Sequence, residues 1–171
     1  YAININKRSL TWGYHTAPDG GLNGRSIHWP RGRMIGGSSS INAMAYVRGL
    51  AHDFDDWAAA GATGWGWDTV RDTYERMETR SVRNGNGAEP DGSGPVFVSD
   101  LTDQMSPFSK NFLHAAQECQ HRTTTDINDQ HGEGLGYYRS TVRNGMRWSA
   151  ADAFLRPALA RPNLHVLQRA E

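Results

Sequence analysis

The chain has 171 residues, 18 of them basic and 18 acidic, giving no formal net charge at pH 7. It is long enough to bury a core, and its balanced charge argues against nucleic acid or an anionic membrane as a partner held by bulk electrostatics. A single cysteine excludes an internal disulfide framework, no apolar run is long enough to span a bilayer, and no signal-peptide pattern opens the chain. The expectation is a cytoplasmic protein, free or membrane-associated.

Residues 1–29 read as extended pieces joined by turns. Pro18, Asp19, Gly20, Gly21, Asn23 and Gly24 crowd one short interval, and Asn23-Gly24 between "TWGYHT" and "RSIHWP" is a hairpin signal. The next stretch is "RGRMIGGSSSINAMAYVRG", residues 31–49. A flexible linker would not run straight into Ile41, Met44, Ala45, Tyr46 and Val47, which favour burial. Gly36 and Gly37 permit positive φ and remove the Cβ atoms that would keep a ligand from the backbone. Ser38 or Ser39 can cap a short helix carrying Ile41 to Tyr46, whose free N–H groups would suit an anion such as a diphosphate. A purely structural tight turn fits the same spacing. No Gly-Lys-Ser/Thr follows and no Gly-x-Gly-x-x-Gly is present, so neither a Walker loop nor a dinucleotide fingerprint is formed.

"HDFDDWAAAG" reads as a helix with Asp53 as N-cap and Gly61 as its stop. "WDTVRDTYERMETR" is a second helix, with Val70, Tyr74 and Met77 on one face. A polar loop, residues 81–94, separates it from a strand in "PVFVSD". "SPFSKNFLHAAQEC" carries strong helix grammar: Ser106 as cap, Pro107 at the first position, and a stripe of Phe108, Phe112, Ala115 or Ala116 and Cys119 that reads as buried. "GLGYYRSTV" and "NGMRW" form another hairpin, "SAADAFLRPAL" a helix capped by Ser149, and "NLHVLQRAE" the start of a strand. That last run, and the absence of an initial methionine, read as a segment of something larger.

Other reactive residue types have plainer readings. His15, His28, His52, His114, His121, His131 and His165 lack metal-ligand spacing, so no metal is expected. Asp53, Asp55 and Asp56 read as helix-start carboxylates, the six tryptophans mostly as packing, and Ser149 as a cap, since no Gly-x-Ser-x-Gly surrounds it.

With its flanks, "PRGRMIGGSSSINAMAYVRG" resembles the first signature of the glucose-methanol-choline (GMC) flavoprotein oxidoreductases. The match continues through "DFDDWAAAGATGWGWDTVRDTYERME", "GSGPVFVSD" and "GEGLGYYRSTVRNGMRWSAADAFLRPALARPNLHVL". The resemblance implies an α/β (α+β) fold, part of a Rossmann-like FAD-binding domain interleaved with an antiparallel-sheet substrate domain. Residues 1–80 would belong to the FAD side, 81–147 to the substrate side, and 148–171 would return to the FAD side. The family's nucleotide fingerprint would lie before Tyr1 and its catalytic histidine pair, or histidine and asparagine, beyond Glu171, so no catalytic residue is assigned here.

The resemblance also assigns cofactor contacts. Gly36, Gly37 and Ser38 would cradle the FAD diphosphate with Arg31 or Arg33 nearby, and Asn42, Ala43, Met44 and Ala45 would lie against the isoalloxazine. Ile41 stands where some members carry a histidine bonded to the flavin, which implies noncovalent FAD. Ala43 stands where many carry glycine. The implied reaction oxidises a small primary alcohol, choline-like or aromatic or heteroaromatic, to an aldehyde by hydride transfer to flavin N5. Partners would be that alcohol, molecular oxygen or another electron acceptor, and the remaining parts of the same polypeptide. The rival reading is a noncatalytic truncated or cleaved fragment that touches FAD only in part.

Overall fold

The structure is a computed structural model, and it describes residues 5–84, 87–129 and 133–170. Gly85 and Asn86 of the expected polar loop, His131 and the terminal residues Tyr1 and Glu171 lie outside the described residues. The architecture is mixed α/β and falls into two compact units, one of residues 1–44 with 145–171 and one of residues 45–144.

The first unit opens with a hairpin. Strand β1 (Tyr14–His15) pairs antiparallel with β2 (His28–Trp29), in the register Tyr14↔Trp29 and His15↔His28. The loop closes through the Thr16 N–H to the Ile27 carbonyl at 2.9 Å and the Ile27 N–H to Thr16 Oγ1 at 2.9 Å. Within it the Asp19 carboxylate accepts the Gly21 N–H at 2.7 Å, while Asn23 (φ 54°) and Gly24 (φ 72°) both take the left-handed conformation their pairing foretold.

The second unit begins with β3 (Ala45–Tyr46). Helix α1 (Ala51–Ala59) follows, and its first-turn geometry corrects the expected cap: Leu50 is the N-cap residue, and Asp53, three positions in, accepts the Leu50 N–H at 3.0 Å. This is the acidic half of a capping box, which sequence alone does not separate from a cap. Gly61 (φ 106°) ends the helix as expected. Helix α2 (Trp67–Met77) starts where Asp55 Oδ1 accepts the Trp67 N–H at 2.9 Å. Buried Phe54 then gathers Trp57, Trp67 and Tyr74, with ring centroids 5.5, 5.9 and 6.4 Å away.

Helix α2 stops at Met77, and the residues expected to complete it and the polar loop after it form strands. β4 (Glu78–Asn84) pairs antiparallel with β5 (Gly87–Asp91) and parallel with β6 (Val96–Val98). Asn84 opposes Gly87 at one end of the antiparallel pair and Arg80 opposes Asp91 at the other. Val98, fully buried, marks the core. Ser99 and Ser140 exchange backbone hydrogen bonds at 2.8 and 3.0 Å.

At the start of β4 lies a buried polar cluster that no sequence pattern announced. Glu78 is 2% exposed, and Arg48 meets it with two prongs, Nη2 to Oε2 at 2.5 Å and Nε to Oε1 at 2.9 Å. The Tyr46 hydroxyl donates to the same carboxylate, and the Arg48 guanidinium lies 5.1 Å above the Tyr74 ring. Burial, and then this bond to Glu78, push the Tyr46 phenol far above its ordinary range, so it stays protonated as a donor. The Arg48 N–H is also held, by Asn128 Oδ1 at 2.7 Å.

Helix α3 (Pro107–Glu118) has the expected start, with Ser106 Oγ accepting the Ser109 N–H at 3.2 Å and Pro107 at the first position. Its stripe is a correction: Ala116 is buried, but Phe108 is 80% exposed, Phe112 57%, and Cys119 is exposed. Periodicity marks a face that favours burial, and among the described residues this one is covered at Ala116 but left largely open at Phe108, Phe112 and Cys119. β7 (Arg139–Ser140) pairs with β3 in the register Ala45↔Ser140 and Tyr46↔Arg139.

Short strands β8 (Val142–Arg143) and β9 (Met146–Arg147) flank Asn144 (φ 51°) and Gly145 (φ 73°), the paired left-handed residues a two-residue hairpin turn requires. The chain there re-enters the first unit. Ser149 caps the next turns as expected, in reciprocal contact with Asp152: the Asp152 carboxylate accepts the Ser149 N–H at 3.0 Å and its hydroxyl at 2.6 Å. These turns are wide, π-type over Ala151–Leu155, before helix α4 (Arg156–Ala158). Pro157, which has no N–H to give, interrupts the regular ladder there. The expected strand in "NLHVLQRAE" is not formed among the described residues, and Leu167 is 84% exposed; an extended run needs a neighbouring strand to become one.

Candidate cofactor site

The glycine-serine stretch folds back on itself. Gly36 (φ 86°) and Gly37 (φ 54°) are both left-handed, and one 3-10 turn, Gly37–Ser40, follows. The helix expected over Ile41 to Tyr46 does not form, for a visible reason. The Asn42 side-chain oxygen accepts the Met44 N–H at 3.0 Å, Met44 turns left-handed (φ 62°), and Ala45 and Tyr46 become β3. Asparagine offers the backbone an alternative to the helical ladder, and the alternative wins. A helix dipole therefore contributes little here, and any anion must be met by the turn itself.

The serines are spent internally. Ser38 Oγ accepts the Gly32 N–H at 3.2 Å, Ser40 Oγ donates to the Ile35 carbonyl at 2.9 Å, and Ser39 Oγ donates to the Gly36 carbonyl at 2.5 Å. Ser39 Oγ also accepts the Ala150 N–H at 2.8 Å. Each hydroxyl thus shapes the turn and leaves its backbone as the presented surface. Among the described residues the Ser38 N–H finds no acceptor.

The glycines divide by what a Cβ would meet. At Gly32 it would lie 2.3 Å from the Gly37 carbonyl oxygen, and at Gly36 2.4 Å from Ser40 Oγ and 3.2 Å from Ala151 Cβ. Those two glycines are explained by the protein's own packing. At Gly37 a Cβ would meet nothing within 4 Å, so the bare backbone there faces open space. A backbone left bare toward open space, beside an unmatched N–H, fits close approach by a phosphate-bearing cofactor.

Beneath the turn, Ser149 is 5% exposed and its hydrogen bond to Asp152 holds that carboxyl below its ordinary range, with Arg156 Nε at 2.8 Å adding to the effect. Arg31 and Arg33 are placed on the hairpin: their guanidinium groups lie 5.2 Å from the Trp29 ring centre and 5.6 Å from that of Trp12. Among the described residues neither makes a hydrogen bond or ion pair to the glycine turn. Asn42 and Ala43 are exposed, Met44 is half-buried, and Ala45 is exposed on β3. Ile41 is 3% exposed, a buried anchor.

One participant escaped sequence reasoning. Arg147 Nη1 donates to the Ser39 carbonyl at 3.1 Å and to Asn42 Oδ1 at 2.6 Å, 105 residues along the chain from Asn42. No local pattern marks it. Among the described residues no group of three or more His, Cys, Asp or Glu side chains is placed to hold a metal ion.

Residues 9–171 match the family described as GMC oxidoreductase. The alcohol dehydrogenase [acceptor] of Pseudomonas putida is 41% identical over 99% of this chain and 30% of its own length. The oxygen-dependent choline dehydrogenase of Brucella anthropi is 40% identical over 96% of the chain and 29% of its own. Among solved structures, pyridoxine 4-oxidase from Mesorbium loti superposes with a TM-score of 0.82 at 34% identity, covering 94% of this chain and 31% of that one. The chain thus spans about 30% of the length of the relatives it matches. On the strength of the family match over nearly its whole length, and of a left-handed glycine turn with its backbone left open, this chain belongs to the GMC oxidoreductases.

Proposed function

We propose that the protein carrying this chain is an FAD-dependent alcohol oxidoreductase, and that residues 31–45 form one wall of its flavin site. The observation that carries this is the open backbone at Gly37 beside the unmatched Ser38 N–H, inside a family match over residues 9–171. Gly36, Gly37 and Ser38 would hold the diphosphate by backbone alone, and Asn42, Ala43, Met44 and Ala45 would lie along the isoalloxazine. Arg31 and Arg33, stacked on exposed tryptophans, would add positive charge near the phosphates.

The substrate proposed is a small primary alcohol, choline-like or aromatic or heteroaromatic. Its oxidation to an aldehyde removes a hydride from carbon and a proton from oxygen; a bound flavin would supply the hydride acceptor, at N5, with oxygen or another acceptor as the final sink for the electrons. No residue of this chain is proposed to take the proton. Residues 1–80 and 148–171 are proposed to lie on the flavin side and 81–147 on the substrate side, in a cytoplasmic protein. Among the described residues no helix is long and apolar enough to cross a membrane.

Ile41 carries no nucleophile and is buried, so the flavin is proposed to be noncovalent. The test is an absorption spectrum of the purified protein, followed by acid precipitation. A flavin band that moves to the supernatant is the expected result. Absence of the band refutes the function, and flavin that stays in the pellet refutes noncovalent attachment.

A further inference from the structure

The amide of Asn42 has a fixed polarity, and its consequence for the cofactor rests on the flavin site proposed for residues 31–45. Its Oδ1 receives Arg147 Nη1 at 2.6 Å and the Met44 N–H at 3.0 Å. Both neighbours are obligate donors, so the atom between them is the amide oxygen, with both its lone pairs used. The opposite end, Nδ2, has no acceptor among the described residues, and Asn42 is exposed. Arg147 is itself anchored, because the same Nη1 also donates to the Ser39 carbonyl at 3.1 Å.

We propose that Arg147 is a positioning residue that locks the Asn42 amide with its NH2 group toward the isoalloxazine. Asn42 then recognises an acceptor on the flavin, a ring carbonyl or an unprotonated ring nitrogen, and presents no acceptor of its own. A donor at that position favours the electron-rich reduced ring over the oxidised one. The pair sets how readily the flavin takes electrons, in addition to how firmly it is held.

The experiment measures the flavin reduction potential of the purified flavin-bound protein as wild type, Arg147→Met, Asn42→Leu, the double variant and Asn42→Asp. Arg147→Met is expected to lower the reduced-to-oxidised ratio at fixed potential by about tenfold, which is about 30 mV for a two-electron couple. Asn42→Leu shifts it the same way, and the double variant goes no further than Asn42→Leu, because Arg147 acts through the amide. A wild-type potential in Arg147→Met overturns the proposal, as does an equal further shift in the Asn42→Leu background, which would mean that the arginine acts by its own charge. Should Arg147→Met fail to fold, Asn42→Asp decides alone. It keeps the acceptor that Arg147 needs and reverses the polarity facing the ring, so an unchanged potential there also overturns the proposal. A wild-type protein without flavin would remove the function itself, whereas bound flavin indifferent to these substitutions removes only the role of Arg147.

Discussion

Replacing Gly37 with asparagine separates what the turn does for the fold from what it does for the cofactor. At φ 54° an alanine would carry a left-handed strain of about 1–2 kcal/mol, whereas asparagine tolerates this conformation through its short polar side chain. A Cβ at this position meets no protein atom within 4 Å, so Gly37→Asn should unfold within about 0.5 kcal/mol of wild type, the range of an unobstructed surface change. Its side chain nevertheless fills the space proposed for the diphosphate, and flavin affinity should fall by about tenfold or more, at least about 1.4 kcal/mol. Gly36→Ala is the contrasting case. There the Cβ would lie 2.4 Å from Ser40 Oγ and 3.3 Å from Ser149 Oγ, at φ 86°, so stability itself should fall. The assay is flavin content after gel filtration and a flavin titration of the apoprotein, read beside thermal unfolding. Full flavin retention by a well-folded Gly37→Asn protein would refute the cradle.

Two further outcomes concern the buried polar groups. Glu78→Ala leaves Arg48, whose side chain is 9% exposed, without its carboxylate, and should cost about 3–5 kcal/mol, a drop in Tm of roughly 6–20 °C; Arg48→Met with Glu78→Leu should recover most of it. A loss under about 1 kcal/mol for the single variant would contradict a desolvated pair. Ser149→Ala removes a cap and should cost about 1 kcal/mol at neutral pH. The Asp152 carboxyl lies below its ordinary range mainly because Ser149 donates to it, so this stability is present above the unfolded carboxylate value near ~3.9 and is lost as pH falls through the folded value. The gap between wild type and Ser149→Ala should therefore narrow below about pH 4 in pH-dependent unfolding, and a gap that widens there would contradict the assignment.

What could be read from the chain divides by the range of the interaction. Asn23-Gly24, Asn144-Gly145, Ser106-Pro107 and Gly61 act within a few residues, and each does in the structure what its chemistry dictates. The helix read over Ile41 to Tyr46 failed at equally short range, because the Asn42 side chain competed with the helical ladder and prevailed. The polar loop over 81–94 concealed a hairpin, since polar composition hides a strand that pairs mainly through its backbone. The stripe of α3 was read correctly as a stripe, but periodicity cannot supply the surface that covers it. The cluster of Tyr46, Arg48 and Glu78, like the contact from Arg147 to Asn42, joins residues 30 and 105 apart, beyond any local rule.

The run of serines changes meaning once its partners are known. Read alone, Ser38 or Ser39 looks like the cap of a short helix facing an anion, yet the hydroxyls of Ser38, Ser39 and Ser40 are each committed to their own loop, to Gly32, Gly36 and Ile35. A site built this way would hold its ligand with backbone N–H groups, which cannot rotate away, while the side chains keep that backbone in place. Among the described residues the Asn42 side chain also offers a donor with no acceptor, and its oxygen end is fixed from two directions. Tolerance to substitution should follow from this arrangement: a change at Ser38, Ser40 or Asn42 acts at least in part through the shape of the loop, whereas Gly37→Asn leaves that shape intact and would act on the proposed cofactor directly.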